Sequence, residues 1–407
     1  MRSEPAGSAA ANVASIPAAT MQAGARDYRL DFFRGIALFF IFFDHIPNNP
    51  VSYVTLKTFA LSDAAEVFIF ISGYTAALVY GRAMLREGPV LASARIFRRA
   101  WQIYVAHLCV FMVYMAEIAY TVRRFNNPLF IDDLGVGDFL TSPDLTIIRV
   151  LLLQYQPTFL DILPLYIVLL LVFPFVVLAM RWHNWSVLIP SILLYIATQI
   201  WDFNVPGNDD EGWYFNPFAW QLLFVIAAIF GFAAGQGRQL IKPHRWLVWC
   251  AAIIVAAGAA IALSWTLRDV IPGFPTLMRG MWPLDKSTLH PLRLINMLAI
   301  VVLVARFLPR DARFLRSRPA TLINLCGAHS LDVFCLSILL AVLASAVIAH
   351  SGRSFLIFLA VNLAGVMLML VLALLLTWFN SGGKLPMLRA APDKSNARKS
   401  APRMRDQ

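Results

Sequence analysis

Long runs of apolar residues alternate along this chain with short polar segments that carry most of its charge. A helix needs about 20 consecutive apolar residues to cross the hydrocarbon core of a bilayer. The pattern therefore predicts an all-α polytopic membrane protein with about ten transmembrane helices. The predicted spans are roughly 28–46, 64–81, 98–120, 161–180, 185–201, 216–235, 246–266, 289–307, 329–349 and 354–379.

The apolar runs divide the chain into three parts. Residues 1–25 are rich in Ala with Ser, Pro and Gly, a composition that predicts a disordered cytosolic lead. Residues 26–380 hold all the predicted spans and form the transmembrane domain. Residues 381–407 are basic and polar, which predicts a cytosolic tail in contact with anionic lipid.

Composition supports the membrane assignment. Of the 407 residues, 59% are hydrophobic and 14% are charged, whereas a soluble domain is about 25% charged. The net charge of +11 would indicate nucleic acid in a soluble protein. Here the cations lie in loops and the tail, where the positive-inside bias already accounts for them. The predicted partner is therefore the lipid bilayer, and no nucleic acid is expected.

The loop charges also predict orientation. Loops rich in Arg and Lys alternate with acidic or mixed loops across all the predicted spans. Because the basic loops face the cytosol, both termini are predicted to be cytosolic. His45, at the end of the first span, then lies towards the outer face.

The first span carries unusual charges, since Asp31 and Arg34 lie near its start and Asp44 and His45 at its end. Each ionisable group inside a bilayer costs about 2.5–3.5 kcal/mol unless it faces a partner or a wet cavity. Arg34 and His45 differ by eleven positions, so a helix places them on one face, roughly 16 Å apart. Imidazole can act as a general base near neutral pH, so His45 is the leading catalytic candidate.

Simpler interpretations of these residues stay open. His45 can cap a helix that stops at Pro47, and Asp31 can form an ion pair with Arg34 that fixes the helix end. Arg34 can instead bind a phosphate or carboxylate through both of its terminal nitrogens.

Three carboxylates are candidate partners for His45. Glu66, near the outer end of the second span, can pair with it or be a hydrated loop-end group. Asp161 can cap the fourth span or face the same cavity as His45. Asp44 is adjacent in sequence but points about 100° away around the helix. No group of residues has the spacing of a metal site, so no metal is predicted.

Four segments carry a resemblance to a known family. Asp31-Phe-Phe-Arg34, followed by ten residues and His45, resembles the signature helix of integral-membrane acyltransferases that modify extracytoplasmic glycans. Glu66-Val-Phe-Ile-Phe-Ile-Ser-Gly-Tyr74 resembles their second helix. Leu160-Asp-Ile-Leu-Pro-Leu-Tyr166 and His329-Ser-Leu-Asp-Val-Phe334 resemble the OpgC branch, the succinyltransferases of osmoregulated periplasmic glucans. The resemblance covers roughly residues 27–380.

The resemblance implies a ten-helix acyltransferase of the bacterial inner membrane. It implies a cytosolic acyl-CoA donor, with succinyl-CoA favoured over acetyl-CoA, and an acceptor hydroxyl on a periplasmic glucan or another glycan. His45 would be the general base or an acyl relay, and Asp31 and Arg34 the other functional positions of the motif. Glu66 stands where many relatives have Asp.

Cytosolic cations could hold the phosphates of the donor, above all Arg82, Arg98 and Arg99, although the positive-inside bias alone also places them there. The alternative function is a transporter or exporter of a glycan or organic anion, with Arg34 and His45 lining its path. The absence of a visible internal repeat favours the enzyme. The acyl group, the acceptor sugar and the possibility of a homo-oligomer stay open.

Overall fold

The computed structural model describes residues 27–125, 131, 134–207, 212–241, 244–281, 283–310 and 312–383. The predicted lead of residues 1–25 lies outside these ranges, and so does the predicted tail of residues 381–407 except for its first three residues.

The described part of the chain is built from helices and contains no β-strand. The longer helices are α1 (Tyr28–Asp44), α2 (Ala64–Arg86), α3 (Pro89–Phe125), α4 (Ile162–Met180), α5 (Trp185–Trp201), α6 (Pro217–Gly235), α7 (Arg245–Val270), α8 (Pro291–Phe307), α9 (Arg318–Ala328), α10 (Ser330–Ser351) and α11 (Phe355–Asn380). Shorter helical turns are Pro50–Val54, Leu56–Phe59, Gly137–Thr141, Pro143–Leu151, Arg279–Met281 and Arg313–Arg316.

This architecture confirms the predicted all-α polytopic membrane fold. Among the described residues, 7 helices are long and apolar enough to cross a membrane. The helices α1, α5 and α8 also coincide with predicted spans, but each has only 17 residues. The count of ten transmembrane helices therefore stays a prediction.

Two helix boundaries differ from the prediction. Helix α3 begins at Pro89 rather than at 98, because polar residues at the membrane boundary continue a helix that hydropathy alone does not detect. The separate helix α9 precedes α10 and was not predicted, since its eleven residues are too short for a span.

Helix α1 lies inside the bundle, packed against α9, α2 and α10. It begins at the cap residue Asp27, whose side chain accepts a hydrogen bond from the Arg29 backbone N–H at 3.2 Å. It ends where the His45 N–H donates to the Ile41 carbonyl at 3.0 Å. Arg34 bonds to Thr75 on α2, while His45 interacts electrostatically with Asp63, the residue that precedes α2. The two helices therefore run antiparallel and the start of α2 lies near His45.

The most extensive helix contact joins α2 and α6. A Cβ atom at Gly73 would overlap the carbonyl oxygen of Phe224, and one at Gly231 would overlap that of Tyr74. The two backbones therefore touch at two places, each of which only glycine allows.

Candidate functional site

Helix α1 is continuous from Arg34 to its last residue, Asp44, and His45 continues the helical backbone at its C-terminal cap. The predicted geometry therefore holds, with the two side chains leaving the helix on the same side and roughly 16 Å apart along its axis.

Arg34 is held from one side only. Its Nη2 donates a hydrogen bond to the Thr75 hydroxyl at 2.8 Å, while its buried Nε has no hydrogen-bond partner among the described residues. Asp31, in the first turn of the helix, interacts with Arg34 electrostatically. Arg34 therefore keeps a donor available for a ligand.

A cavity of about 220 Å³ lies beside Arg34 within the bundle. It runs along α2 from Tyr80 to Phe68, which are about 18 Å apart along the helix axis. Its polar lining consists of Arg34, Ser72, Thr75, Tyr80, Arg99, Tyr166 and Ser330. At the Phe68 end it reaches Leu163, in the first turn of α4. The cavity therefore extends along α2 towards the end of the bundle at which His45 lies, although Arg34 is the α1 residue in its lining and His45 is not part of it.

The His45 ring is covered by Phe159. Their ring centroids are 4.1 Å apart and the rings are stacked. Phe159 has a φ of 77°, a left-handed conformation that costs a non-glycine residue about 1–3 kcal/mol. The buried Nδ1 of His45 has no hydrogen-bond partner in the described part of the chain. The imidazole is thus shielded by one aromatic ring and has a free nitrogen.

The predicted partner carboxylates of His45 make other contacts. Asp44 accepts a hydrogen bond from the Thr55 hydroxyl at 3.0 Å and pairs with Lys57 at 3.0 Å. Glu66 is fully buried and pairs with Arg293, so its interpretation as a hydrated loop-end group is wrong. Neither carboxylate is hydrogen-bonded to His45.

Asp161 occupies the cap position of α4, but its side chain makes no capping hydrogen bond. The purely structural account of this residue is therefore incomplete. It follows Phe159 closely in sequence, and it interacts electrostatically with Lys286, as His45 also does. The structure thus brings Asp161 to the His45 end of the bundle without a hydrogen bond between them.

A cluster of four charges lies at this end and consists of Asp63, Glu66, Lys286 and Arg293. The Arg293 Nε donates to Glu66 at 2.7 Å and its Nη2 donates to Asp63 at 3.1 Å. The Lys286 ammonium lies 2.8 Å from Asp63. The same two carboxylates cap α2, since Asp63 accepts from the Ala65 N–H and Glu66 from the Asp63 N–H. The four-charge cluster therefore joins the start of α2 to the start of α8.

The charges in this cluster stabilise one another. Burial alone would raise the pKa of the Asp63 carboxyl, but Lys286 and Arg293 hold that pKa well below its usual range. Burial alone would lower the pKa of the Lys286 ammonium, but Asp63 raises it above the ordinary value. Both groups are therefore ionised at neutral pH.

Buried aromatic residues hold Lys286 in place. Trp213, Phe215 and Trp220 are buried, and the Trp220 indole N–H donates to the Lys286 carbonyl at 3.0 Å. The Lys286 ammonium lies over the Phe215 ring, 5.5 Å from its centroid. For these three residues, the structure supports a packing role.

The predicted phosphate-binding cations occupy three different settings. Arg99 lines the cavity beside Arg34. Arg98, its neighbour on α3, is exposed. Arg82 is partly buried and its Nε donates to the Gly235 carbonyl at 3.1 Å. Of the three, only Arg99 shares a cavity with a motif residue.

The sequence analysis missed Lys286, Arg293 and Phe159. Arg293 could have been singled out from the sequence, because it is a cation at the predicted outer end of a span, where the positive-inside bias disfavours cations. Phe159 carried no signal, since its position depends on the path of an irregular loop. A search of the described residues finds no group of three or more His, Cys, Asp or Glu side chains placed to bind a metal ion.

The fold and this site together define a helical membrane protein with a cavity beside a motif arginine and, nearer the other end of the same helix, a histidine shielded by an aromatic ring. The sequence profile of the OpgC protein family matches residues 26–381. The chain therefore belongs to the OpgC family, and this membership indicates an acyltransferase. No curated protein and no solved structure gives a significant match.

Proposed function

We propose that this protein transfers an acyl group from cytosolic acyl-CoA to hydroxyl groups of a periplasmic glucan. The observation that carries the proposal is the cavity beside Arg34, which extends along α2 in the direction of the bundle end at which His45 lies. A cavity of this shape suits a narrow arm that ends in a thioester, while the charged nucleotide stays outside the bundle.

The donor would enter from the end of the bundle that carries Arg99 and Tyr80. In the predicted orientation this end faces the cytosol of a bacterium whose inner membrane holds the protein, with both termini cytosolic. Arg98, which is exposed, and Arg82 would bind the phosphates of coenzyme A, and Arg99 would lie at the cavity mouth. Succinyl-CoA is the favoured donor, in keeping with the family resemblance.

At the other end, His45 would act as the general base. Its Nδ1 has no partner among the described residues, so it can accept the proton of an acceptor hydroxyl. The hydroxyl oxygen attacks the thioester carbonyl, the new ester C–O bond forms and the C–S bond breaks. His45 then returns the proton to the departing thiolate, which leaves as free coenzyme A.

Two charged groups would support this step. Lys286 is a cation whose field acts on His45, and a cation stabilises the negative charge that develops on the carbonyl oxygen. Asp161 also lies at this end and would orient the acceptor or the imidazole.

Reconstituted vesicles test the proposal. Purified protein is inserted into liposomes that contain glucan, succinyl-CoA or acetyl-CoA is added outside, and the glucan is analysed by mass spectrometry. We expect acylated glucan in the lumen and free coenzyme A outside. The transporter alternative predicts instead that glucan or an organic anion crosses the membrane without any acyl-CoA, with no gain of mass.

Phe159 provides a more local prediction. Replacing Phe159 with alanine removes the ring that covers His45, so water gains access to the thioester. We expect severalfold faster release of coenzyme A in the absence of glucan, together with a lower ratio of transfer to hydrolysis. Phe159→Leu, which retains an apolar cover, is the control. If the ratio of transfer to hydrolysis in Phe159→Ala equals that of the unmodified protein, Phe159 does not shield the thioester from water.

A further inference from the structure

Two aromatic side chains form the wall of the cavity at the end nearer to His45. Phe68 on α2 and Phe334 on α10 both line it, and their rings pack against each other with centroids 6.0 Å apart. Both side chains are almost fully buried, with 5% and 1% exposure. The two rings in contact therefore form one closely packed aromatic wall that limits the width of the cavity at this end.

The position of this pair along the bundle follows from the helix packing. Arg34 bonds to Thr75, and Phe68 lies seven residues closer to the start of α2, about 10 Å nearer the His45 end. Because Arg34 and His45 are roughly 16 Å apart on α1, the Phe68–Phe334 pair stands between them. A thioester that moves from the arginine end to His45 passes these rings with its acyl group leading.

We propose that Phe68 and Phe334 form a filter for the width of the acyl group, which admits unbranched short acyl groups and rejects branched or aromatic ones. This inference rests on the proposed acyl transfer and identifies which donors that reaction accepts. A packed aromatic pair resists widening, because protein interiors are close to crystal density and overpacking distorts neighbouring side chains. Acetyl and succinyl are both unbranched, so the filter does not distinguish them.

The experiment compares donors of different width. Purified protein is given acetyl-CoA, butyryl-CoA, isobutyryl-CoA or benzoyl-CoA with glucan, and kcat/KM is measured for each donor. We expect acetyl and butyryl transfer, with isobutyryl and benzoyl transfer close to background. In Phe334→Ala, the ratio of benzoyl to acetyl transfer should rise by about 10- to 100-fold, the range that steric discrimination in an apolar pocket provides.

The matched control is Phe173→Ala. Phe173 is also fully buried and packs against Phe224 at 5.4 Å between ring centroids, but it does not line the cavity. The Phe173→Ala substitution also removes one buried phenyl ring. A change in the benzoyl-to-acetyl ratio that occurs in Phe334→Ala and not in Phe173→Ala therefore supports the filter. Phe334→Leu, which keeps more of the apolar volume, should give a smaller change and serves if the alanine variant does not fold.

The outcomes separate the two proposals. An unchanged benzoyl-to-acetyl ratio in Phe334→Ala and Phe334→Leu, with acetyl transfer intact, would overturn the filter and leave the proposed function standing. If the unmodified protein transferred benzoyl groups as fast as acetyl groups, the filter would also be overturned and the proposed function would stand. Failure of the unmodified protein to transfer any acyl group would instead overturn the proposed function.

Discussion

Replacing His45 with alanine is expected to lower acyl transfer by about 10²- to 10⁴-fold, the contribution of a general base. The reason is the position of the imidazole, which lies at the end of α1 beyond the cavity, with an unbonded Nδ1 and with its ring stacked on Phe159. The rate of acylation of glucan by purified protein is the measurement, and the binding of acyl-CoA should change little, because Arg34 and the cytosolic cations are intact.

The control for this variant is His183→Ala. His183 is exposed between α4 and α5, so the substitution should leave the rate unchanged. Normal insertion and unfolding temperature of His45→Ala establish that the fold is intact. Full activity in a well-folded His45→Ala protein would exclude the proposed mechanism. Trapping a covalent acyl-histidine by rapid quenching and mass spectrometry would indicate an acyl relay rather than a general base.

Replacing Arg293 with methionine is expected to destabilise the protein by about 3–5 kcal/mol, the usual consequence of removing one partner from a buried ionic group. The Arg293 guanidinium pairs with Glu66 at 2.7 Å and with Asp63 at 3.1 Å. Glu66 is fully buried. Without the guanidinium, Glu66 is left as a buried carboxylate without its cation. Denaturant or thermal unfolding in detergent measures the loss.

An exposed ion pair offers the matched control. Arg95 pairs with Glu87 at 2.8 Å, but the Arg95 side chain is 51% exposed, so Arg95→Met should cost no more than about 1 kcal/mol. Adding Glu66→Gln to Arg293→Met should recover part of the stability, because the carboxylate that lost its cation is then neutral, while Asp63 keeps its ion pair with Lys286. Equal stability of the Arg293 and Arg95 variants would show that the four-charge cluster does not join α2 to α8 as described.

Much of the fold could be predicted from sequence because the bilayer imposes a simple rule. A spanning helix must be apolar over most of its length, so hydropathy finds it without knowledge of its neighbours. The relation between Arg34 and His45 could also be predicted, because both lie on one helix whose geometry is fixed. The start of α3 at Pro89 could not be predicted, since hydropathy detects the apolar part of a helix that crosses the membrane and not a polar extension of the same helix.

The surroundings of His45 depend on contacts that are distant in sequence. Glu66 and Arg293 meet although more than 200 positions separate them, and sequence alone gave no reason to pair them. Glu66 was therefore considered as a partner for His45, and its actual cation was missed. Phe159 reaches the imidazole through an irregular loop, whose path no periodic pattern predicts.

The glycine contacts between α2 and α6 determine which parts of the protein can move during a catalytic cycle. Helices that touch backbone to backbone at two points cannot slide or separate without losing both contacts. Helix α2 also supplies Phe68, Thr75 and Tyr80 to the cavity, so we expect that wall to keep its shape. In the proposed reaction, access for the acceptor would then come from the opening of the irregular segment that carries Phe159, and not from a rocking motion of helices.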